Sequence, residues 1–414
     1  MTELMVYIFW ASIGLILYAY VGFTLVLCVR GLWNRPVAKA DITPMVSLVI
    51  VAHNEAATIA AKLDNALGSS YPRDKLEIIV ASDGSDDGTD EIVARYADRG
   101  VQLLSFSRIG KIPALNEAVT RAAGDVLVLS DANSLFEADS LAALVRPFAD
   151  PAVGGVAGNQ CYSSGSGNAA SFGERLYWSF DRLLKTLGSR SGNVIASTGS
   201  IHAIRRTLFR PVPLGVGDDF VISTRVILQG VRLVFEPRAV AREATAPSDR
   251  AEFQRKVRVI VRGLRGLWAV RGLFNPLRHG FYSVQIFSHK LLRWMVGWLL
   301  IVLLGSSIYL SQLSGLGDSA FVYRVALWCQ VSLYGSAVAA LVLRRTPLAR
   351  LRLFRLFSIP FYFCLANVAA LQAWLQLLRG KRVDVWNSTR QADAATANCA
   401  QAESNPLLAS PTTS

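Results

Sequence analysis

Four groups of polar residues stand where short apolar runs end. His53, Asn54 and Glu55 close the run Val46–His53 and lead out of it. Asp83-Gly84-Ser85-Asp86-Asp87-Gly88 follows Leu76–Ser82, and Gly110-Lys111 comes after Val101–Phe106. Ser130-Asp131-Ala132-Asn133 ends the run Val126–Ser130. Such side chains can exchange protons, hold cations and neutralise anions. Singly, each has a plain structural reading: D-G-S-D-D-G is a turn with a helix cap, and Asp131 is another cap. Their recurrence at four consecutive run ends favours one shared site. Neither G-x-G-x-x-G nor a Walker loop is present, so no dinucleotide or P-loop site is indicated.

The elements that carry these groups alternate. The four apolar runs read as buried parallel strands. Helical spacing follows each of them, over Asn54–Leu67, Asp90–Tyr96, Pro113–Ala122 and Ser140–Phe148. Four βα units in a row imply an α/β fold, a doubly wound, Rossmann-like sheet with crossovers on both faces. Ligands of such sheets bind past the carboxyl ends of the strands, where the polar groups lie. A further pair, Asp218-Asp219, precedes the helical pattern F-V-I-S-T-R-V-I-L and reads structurally as a helix N-cap.

The chain has 414 residues, 52% of them hydrophobic and only 18% charged, with a net charge of +13. Soluble domains carry roughly 25% charged residues. Disorder is excluded by the apolar content, and a simple soluble protein is disfavoured. A nucleic-acid partner is not expected, because the basic charge can face anionic lipid. The five cysteines are scattered without C-x-x-C spacing, which argues against a disulfide framework or zinc site.

Residues 5–29 contain no charge and precede Arg30 and Arg35, which predicts a retained transmembrane helix with the following segment in the cytoplasm. Three more apolar stretches lie at 291–312, 319–343 and 355–378. Arg344, Arg345, Arg350, Arg352 and Arg355 place their loop inside, whereas 313–318 has one acid and no base. A strict four-span weave conflicts with Arg379, Lys381 and Arg382 opening the tail, and Pro360 is expected to break the last stretch. Arg324 should face protein or snorkel. The segment 253–273 interleaves basic and apolar residues at helical spacing and reads as an amphipathic helix on the membrane face. The expected divisions are therefore 1–29 (membrane helix), 44–250 (cytoplasmic domain), 251–290 (interface helices), 291–378 (membrane region) and 379–414 (basic, then disordered tail).

Seven motifs in fixed order carry a resemblance: P-M-V-S-L-V-I-V-A-H-N-E-A from Pro44, A-S-D-G-S-D-D-G-T-D from Ala81, G-K-I-P-A-L-N from Gly110, S-D-A-N from Ser130, T-G-S-I-H-A-I-R-R from Thr198, G-D-D-F from Gly217 and F-Q-R-K-V-R from Phe253. Over roughly 44–265 the chain resembles a membrane-bound family 2 glycosyltransferase, of the branch with cellulose, hyaluronan and poly-N-acetylglucosamine synthases. The resemblance implies a GT-A nucleotide-sugar domain between membrane helices. It implies that Asp83 meets the base, with Ala52, His53 and Glu55 lining that pocket and Lys111 near the nucleotide. Asp131 and Asn133 stand for the D-x-D pair that holds a divalent metal, Mg2+ or Mn2+. Asp219 falls on the general base, with Asp218 beside it. Arg258 is the expected diphosphate partner. Thr198, Gly199, Ser200 and Arg255 fall at the acceptor site. Val259 stands where the family's Q-x-x-R-W motif has Trp. Tyr177 and Trp178 can stack on a sugar or pack in the core, and His202 reads as structural.

The resulting expectation is an inverting transferase at the inner face of the plasma membrane. It would move a sugar from a nucleoside-diphosphate donor, UDP-linked, to a growing polysaccharide. The alternative acceptor is a membrane lipid of the ceramide or polyprenyl-phosphate type, and the remote alternative is a non-catalytic scaffold.

Overall fold

The computed structural model describes residues 1–163, 169–244, 249–313, 319–343, 346 and 354–380. Arg344, Arg345, Arg350, Arg352, Lys381, Arg382 and the tail 391–414 fall outside them, as does the side chain of Tyr177.

One eight-stranded sheet organises the central domain, in the order β3-β2-β1-β4-β7-β6-β8-β5. The expected four runs form β1 (Val46–Ala52), β2 (Leu76–Asp83), β3 (Val101–Phe106) and β4 (Val126–Asp131), all parallel. The rest are β5 (Leu135–Phe136), β6 (Val153–Ser163), β7 (His202–Arg205) and β8 (Arg232–Ala244). β7 runs antiparallel between β4 and β6, so the parallel half ends at β4.

Both faces of the parallel half are covered, which explains why its strands read as continuous apolar runs. Side chains alternate along a strand. Val49, Val51, Ile79, Ala81, Leu127 and Leu129 enter one core. Leu48, Ile50, Ile78, Val80, Val126 and Val128 enter the other. The second core is closed by α2 (Ala56–Leu67), α3 (Thr89–Ala94) and α5 (Ser140–Val145), through Ile59, Leu63, Val93, Leu141 and Leu144. The first is closed by α4 (Lys111–Arg121), α7 (Asp218–Leu228) and α8 (Asp249–Ala269), α6 being Ala169–Ser191.

Helix α8 corrects the expected membrane-surface helix. Its apolar stripe, Val257, Ile260, Val261, Leu264 and Leu267, is buried in the first core with Phe220 and Val221 of α7. Ala369, Ala370 and Ala373 of a C-terminal helix join the same core. The stripe is thus satisfied by protein, and Val259 and Trp268 are the large apolar side chains left exposed.

Among the described residues, four helices are long and apolar enough to cross a membrane: α1 (Thr2–Leu32), α9 (Phe281–Ser311), and the spans Ala320–Leu343 and Leu356–Leu378 within α10 (Ser319–Leu343) and α11 (Phe354–Leu378). α9 starts ten residues before the apolar stretch expected at 291, so the expected boundary at 290 falls inside a helix. A π-turn, Phe287–Leu292, joins its two parts. Pro360 does not break α11. Arg324 Nε donates to the Ser311 carbonyl at 3.4 Å, a protein contact of the kind its position required.

Candidate active site

Lys111 is the first residue of α4, after Gly110, whose φ of +100° suits glycine. Its ammonium lies 3.0 Å from Asp131 Oδ1 at the end of β4 and 3.0 Å from Asp218 Oδ2 at the start of α7. Burial disfavours the ammonium, but the two carboxylates outweigh it and hold its pKa above the usual lysine range. Lys111 thereby joins two elements that sequence alone leaves far apart.

Asp218 and Asp219 are adjacent but differ. Gly217 is the N-cap, and the two acids occupy the first turn, where the helix dipole favours negative charge. Burial raises Asp218, but Lys111 overrides it and holds the carboxyl below its usual value. Burial and the neighbouring Asp218 charge instead push Asp219 up to about 6, although Asp219 Oδ1 accepts the Phe220 N–H at 2.8 Å. One carboxylate is fixed as an anion while the other is poised to take a proton.

The turn Thr198–Ser200 runs past both. The Asp131 N–H donates to the Gly199 carbonyl (3.2 Å), the Ser130 hydroxyl to the Ser200 carbonyl (2.9 Å), and Ser197 Oγ to the Asp219 carbonyl (3.1 Å). A Cβ at Gly199 would sit 2.8 Å from Asp131 Oδ2. Gly199→Ala is therefore expected to move that carboxylate and raise the KM for whatever Asp131 helps to bind at least about tenfold, the equivalent of about 1.4 kcal/mol or more. An unchanged KM in a folded variant would show that the turn tolerates a side chain there.

His202, on β7, is 2% exposed, and its Nδ1 lies 3.1 Å from the Thr198 carbonyl, which fixes the N–H on Nδ1. Burial pushes it down to about 4 against the pull of Asp218, so the ring is neutral near pH 7.

Asp83, His53 and Glu55 form an adjoining group. Asp83 is 1% exposed, and its Oδ1 accepts the Gly110 N–H at 2.8 Å, which ties this group to Lys111. His53 Nδ1 lies 2.9 Å from the Asp83 carbonyl and 2.5 Å from Arg108 Nη1, so its tautomer decides which it bonds. Glu55 Oε2 accepts the Thr58 hydroxyl at 2.6 Å. Ala52 is fully buried in the second core, so its side chain does not line a pocket. Gly84 has φ +65°, and a Cβ there would meet Arg108 N at 2.6 Å, so this close crossing requires glycine. Asp87 knits the loops, accepting the N–H groups of Ala56 (3.0 Å) and Thr89 (3.1 Å). The capping role read for D-G-S-D-D-G thus belongs to Asp87.

Arg258 and Arg262 face the site from α8. Burial lowers the Arg258 pKa, with Arg262 and Arg255 adding repulsion and Asp131 opposing them. Arg262 lies within electrostatic reach of Asp218, and its buried Nε has no hydrogen-bond partner among the described residues. Sequence reading missed Arg262 as a site residue, although its four-residue spacing from Arg258 put both on one helix face. Arg255 does not join them. Its Nε and Nη2 bond Glu252 at 2.7 and 3.0 Å, and Glu252 also takes Lys256 (3.2 Å) and the Tyr362 hydroxyl (3.4 Å). Nε and Nη2 of Arg255 are thus engaged in a two-pronged ion pair at the junction with α11. Trp178 is half-buried on α6.

No cluster of three or more His, Cys, Asp or Glu able to hold a metal occurs among the described residues. Asp131 and Asn133 offer one carboxylate and one amide oxygen, both partly exposed past β4. That set suits a cation that takes its remaining ligands from a diphosphate and water, as Mg2+ does.

The family described as "Glycosyltransferase like family 2" matches residues 44–261, just over half of the chain. The chain belongs to glycosyltransferase family 2. The poly-β-1,6-N-acetyl-D-glucosamine synthase of Staphylococcus aureus (strain COL) is 26% identical over 217 residues, 50% of this chain and 52% of that protein. The enzyme of the same name from Staphylococcus epidermidis is 26% identical over 203 residues, 47% and 48% of the two chains. The glycosyltransferase thus spans about half the length of the curated relatives it matches. Among solved structures it is similar to the mannosyltransferase PcManGT from Pyrobaculum calidifontis in complex with GDP-Man and Mn2+. That likeness has 24% identity and a TM-score of 0.65, and covers 90% of this chain and 99% of that one. It establishes the GT-A fold.

Proposed function

We propose that this glycosyltransferase is an inverting, metal-dependent enzyme of the cytoplasmic face of a plasma membrane. It moves a sugar from a nucleoside diphosphate, UDP in the leading reading, to a growing polysaccharide. The observation that carries the reading is the contrast at the start of α7: Asp218 is neutralised by Lys111, while Asp219 is pushed up to about 6. The synthase relatives support the polymer acceptor.

In this reading Asp219 accepts the proton of the acceptor hydroxyl as that oxygen attacks the anomeric carbon. The bond from that carbon to the diphosphate oxygen breaks, and attack from the face opposite the leaving group inverts the centre. Arg258 and Arg262 neutralise the departing diphosphate from α8, and Lys111 does so from α4. The turn Thr198–Ser200 seats the acceptor between Asp131 and Asp219. Asp131 and Asn133 would hold a divalent cation, which when bound supplies further charge neutralisation for the diphosphate.

The base must be ionised to act, so turnover falls as pH drops through the Asp219 value. Release of nucleoside diphosphate is expected to decline about tenfold per unit below about pH 6. An aspartate at the ordinary 3.8 would leave the rate flat down to about pH 4. A profile flat between about pH 5 and 7 would show that the acting base does not carry the raised value of Asp219.

One observation favours single-sugar transfer to a membrane lipid. Val259, where the synthases have Trp, is 57% exposed and provides no aromatic platform for a polymer. Sizing the product by mass spectrometry separates the readings: one added sugar on an extracted lipid sinks the polymer.

A further inference from the structure

Lys62 lies on α2 and takes no part in the chemistry above. It is 0% exposed, which is rare for a lysine. Its Nζ donates to Ser130 Oγ at 2.8 Å and to the Ser134 carbonyl at 2.5 Å, and sits 3.7 Å from the centre of the Phe136 ring. These two acceptors bracket residues 131–133, the loop that carries Asp131 and Asn133.

The contacts continue outward on both sides. The Ser130 hydroxyl donates to the Ser200 carbonyl at 2.9 Å, so the same nitrogen is linked to the turn Thr198–Ser200. The Ser134 hydroxyl bonds Glu243, buried on β8, whose Oε2 takes the Gln160 amide at 2.8 Å. One turn along α2, Asn65 exchanges two bonds with the Phe136 backbone, at 2.8 and 2.7 Å.

A buried ammonium is unfavourable unless it is paired and hydrogen-bonded, and methionine would fill similar space without that penalty. Packing α2 onto the sheet does not require a lysine, since Ile59, Leu63 and Ala66 already do so. What the lysine adds is direction, because an N–H group bonds a specific acceptor where a methyl group does not.

We infer that Lys62 is a positioning residue: it staples both ends of the Asp131–Asn133 loop, holding the two side-chain oxygens where a diphosphate-bound divalent cation meets them. The inference rests on the reading of Asp131 and Asn133 as that cation's ligands. Burial draws the Lys62 pKa down to about 7 against the pull of Asp131 and Glu243. Charged or neutral, the nitrogen keeps at least two N–H groups for its two acceptors, so the staple does not depend on titration.

The test is equilibrium binding of nucleoside diphosphate to the full-length protein in detergent, by calorimetry, in Mn2+ and in EDTA. UDP and GDP serve as probes, and the tighter is used throughout. Lys62→Met takes a buried positive charge away from Asp131 and Glu243 and can unfold the protein, so the double variant Lys62→Met/Glu243→Gln, which removes one charge of each sign, is measured beside it. Mn2+ is expected to tighten wild-type binding. The folded lysine variants are expected to lose about tenfold or more of that enhancement and to match wild type in EDTA. A wild-type enhancement in the double variant overturns the inference. So does equal weakening in both media, which is general damage. Asp131→Ala separates the two levels. If it keeps the full enhancement, or wild type shows none, the ligand reading itself fails. If it loses the enhancement while the lysine variants keep it, only the staple fails.

Discussion

Asp219→Asn is expected to lower kcat by about 10²–10⁴-fold, the range typical of a lost general base. Binding of nucleoside diphosphate should change little, because the proposed mechanism has Asp219 meet the acceptor hydroxyl and not the leaving group. The substitution is nearly isosteric, and the amide oxygen can still accept the Phe220 N–H that Asp219 accepts at 2.8 Å. The loss should therefore appear in kcat, with the melting temperature close to wild type. It also removes the residue whose proton sets the acid limb, so what activity remains should no longer fall below about pH 6. Wild-type turnover in this variant would move the base elsewhere.

Lys111→Met is expected to be the most damaging single change. It removes a cation that lies 3.0 Å from both Asp131 and Asp218 and leaves the two carboxylates without the ammonium between them. Breaking a buried pair from one side costs about 3–5 kcal/mol. The Lys111 side chain is only 16% exposed, so solvent offers little compensation. Part of this loss should appear as a lower melting temperature and part as lost donor binding. The stability part has a pH signature. Lys111 holds Asp218 below its usual value, which adds stability above the unfolded carboxylate range that disappears as pH falls through the folded value. In Lys111→Met that dependence should vanish, or reverse if burial then raises Asp218. A variant with unchanged melting temperature and donor affinity would show that the bridge is incidental.

The parallel half of the fold was readable because both its faces are buried. β1, β2 and β4 are unbroken apolar runs, each followed by helical spacing, and β3 is bounded by glycines at positions 100 and 110. The other half was not. β6 opens V-G-G-V-A-G, where glycines weaken the strand signal, yet a Cβ at Gly154 would meet Val231 at 2.4 Å. Its partner β8 carries Glu236, Pro237, Arg238 and Arg242, which interrupt the apolar run that marks a buried strand.

The site divides along similar lines. Asp131, Lys111, Asp218 and Asp219 were named from motifs, and their convergence follows from the placement of β4, α4 and α7. The difference between Asp218 and Asp219 was not readable, because it arises from a lysine more than a hundred residues away. Arg255 shows a partner that its place in a motif did not announce. Position in a motif suggested a ligand contact, whereas Glu252, three residues earlier on the same helix, takes its guanidinium. The amphipathic pattern of α8 had one of two possible partners, lipid or protein, and periodicity does not distinguish them. The adjoining core supplied the protein answer through Phe220 and Val221.

Cleavage of a nucleoside-diphosphate sugar by this chain, with Asp219 as base, is open to direct measurement. The most direct test incubates the full-length protein in detergent with UDP- and GDP-linked sugars, membrane extract as acceptor and Mn2+, and measures released nucleoside diphosphate. Release is expected from at least one donor, with dependence on the cation and loss of release in Asp219→Asn. Absence of release and of nucleotide binding across the donors, or an Asp219→Asn rate equal to wild type, would contradict it.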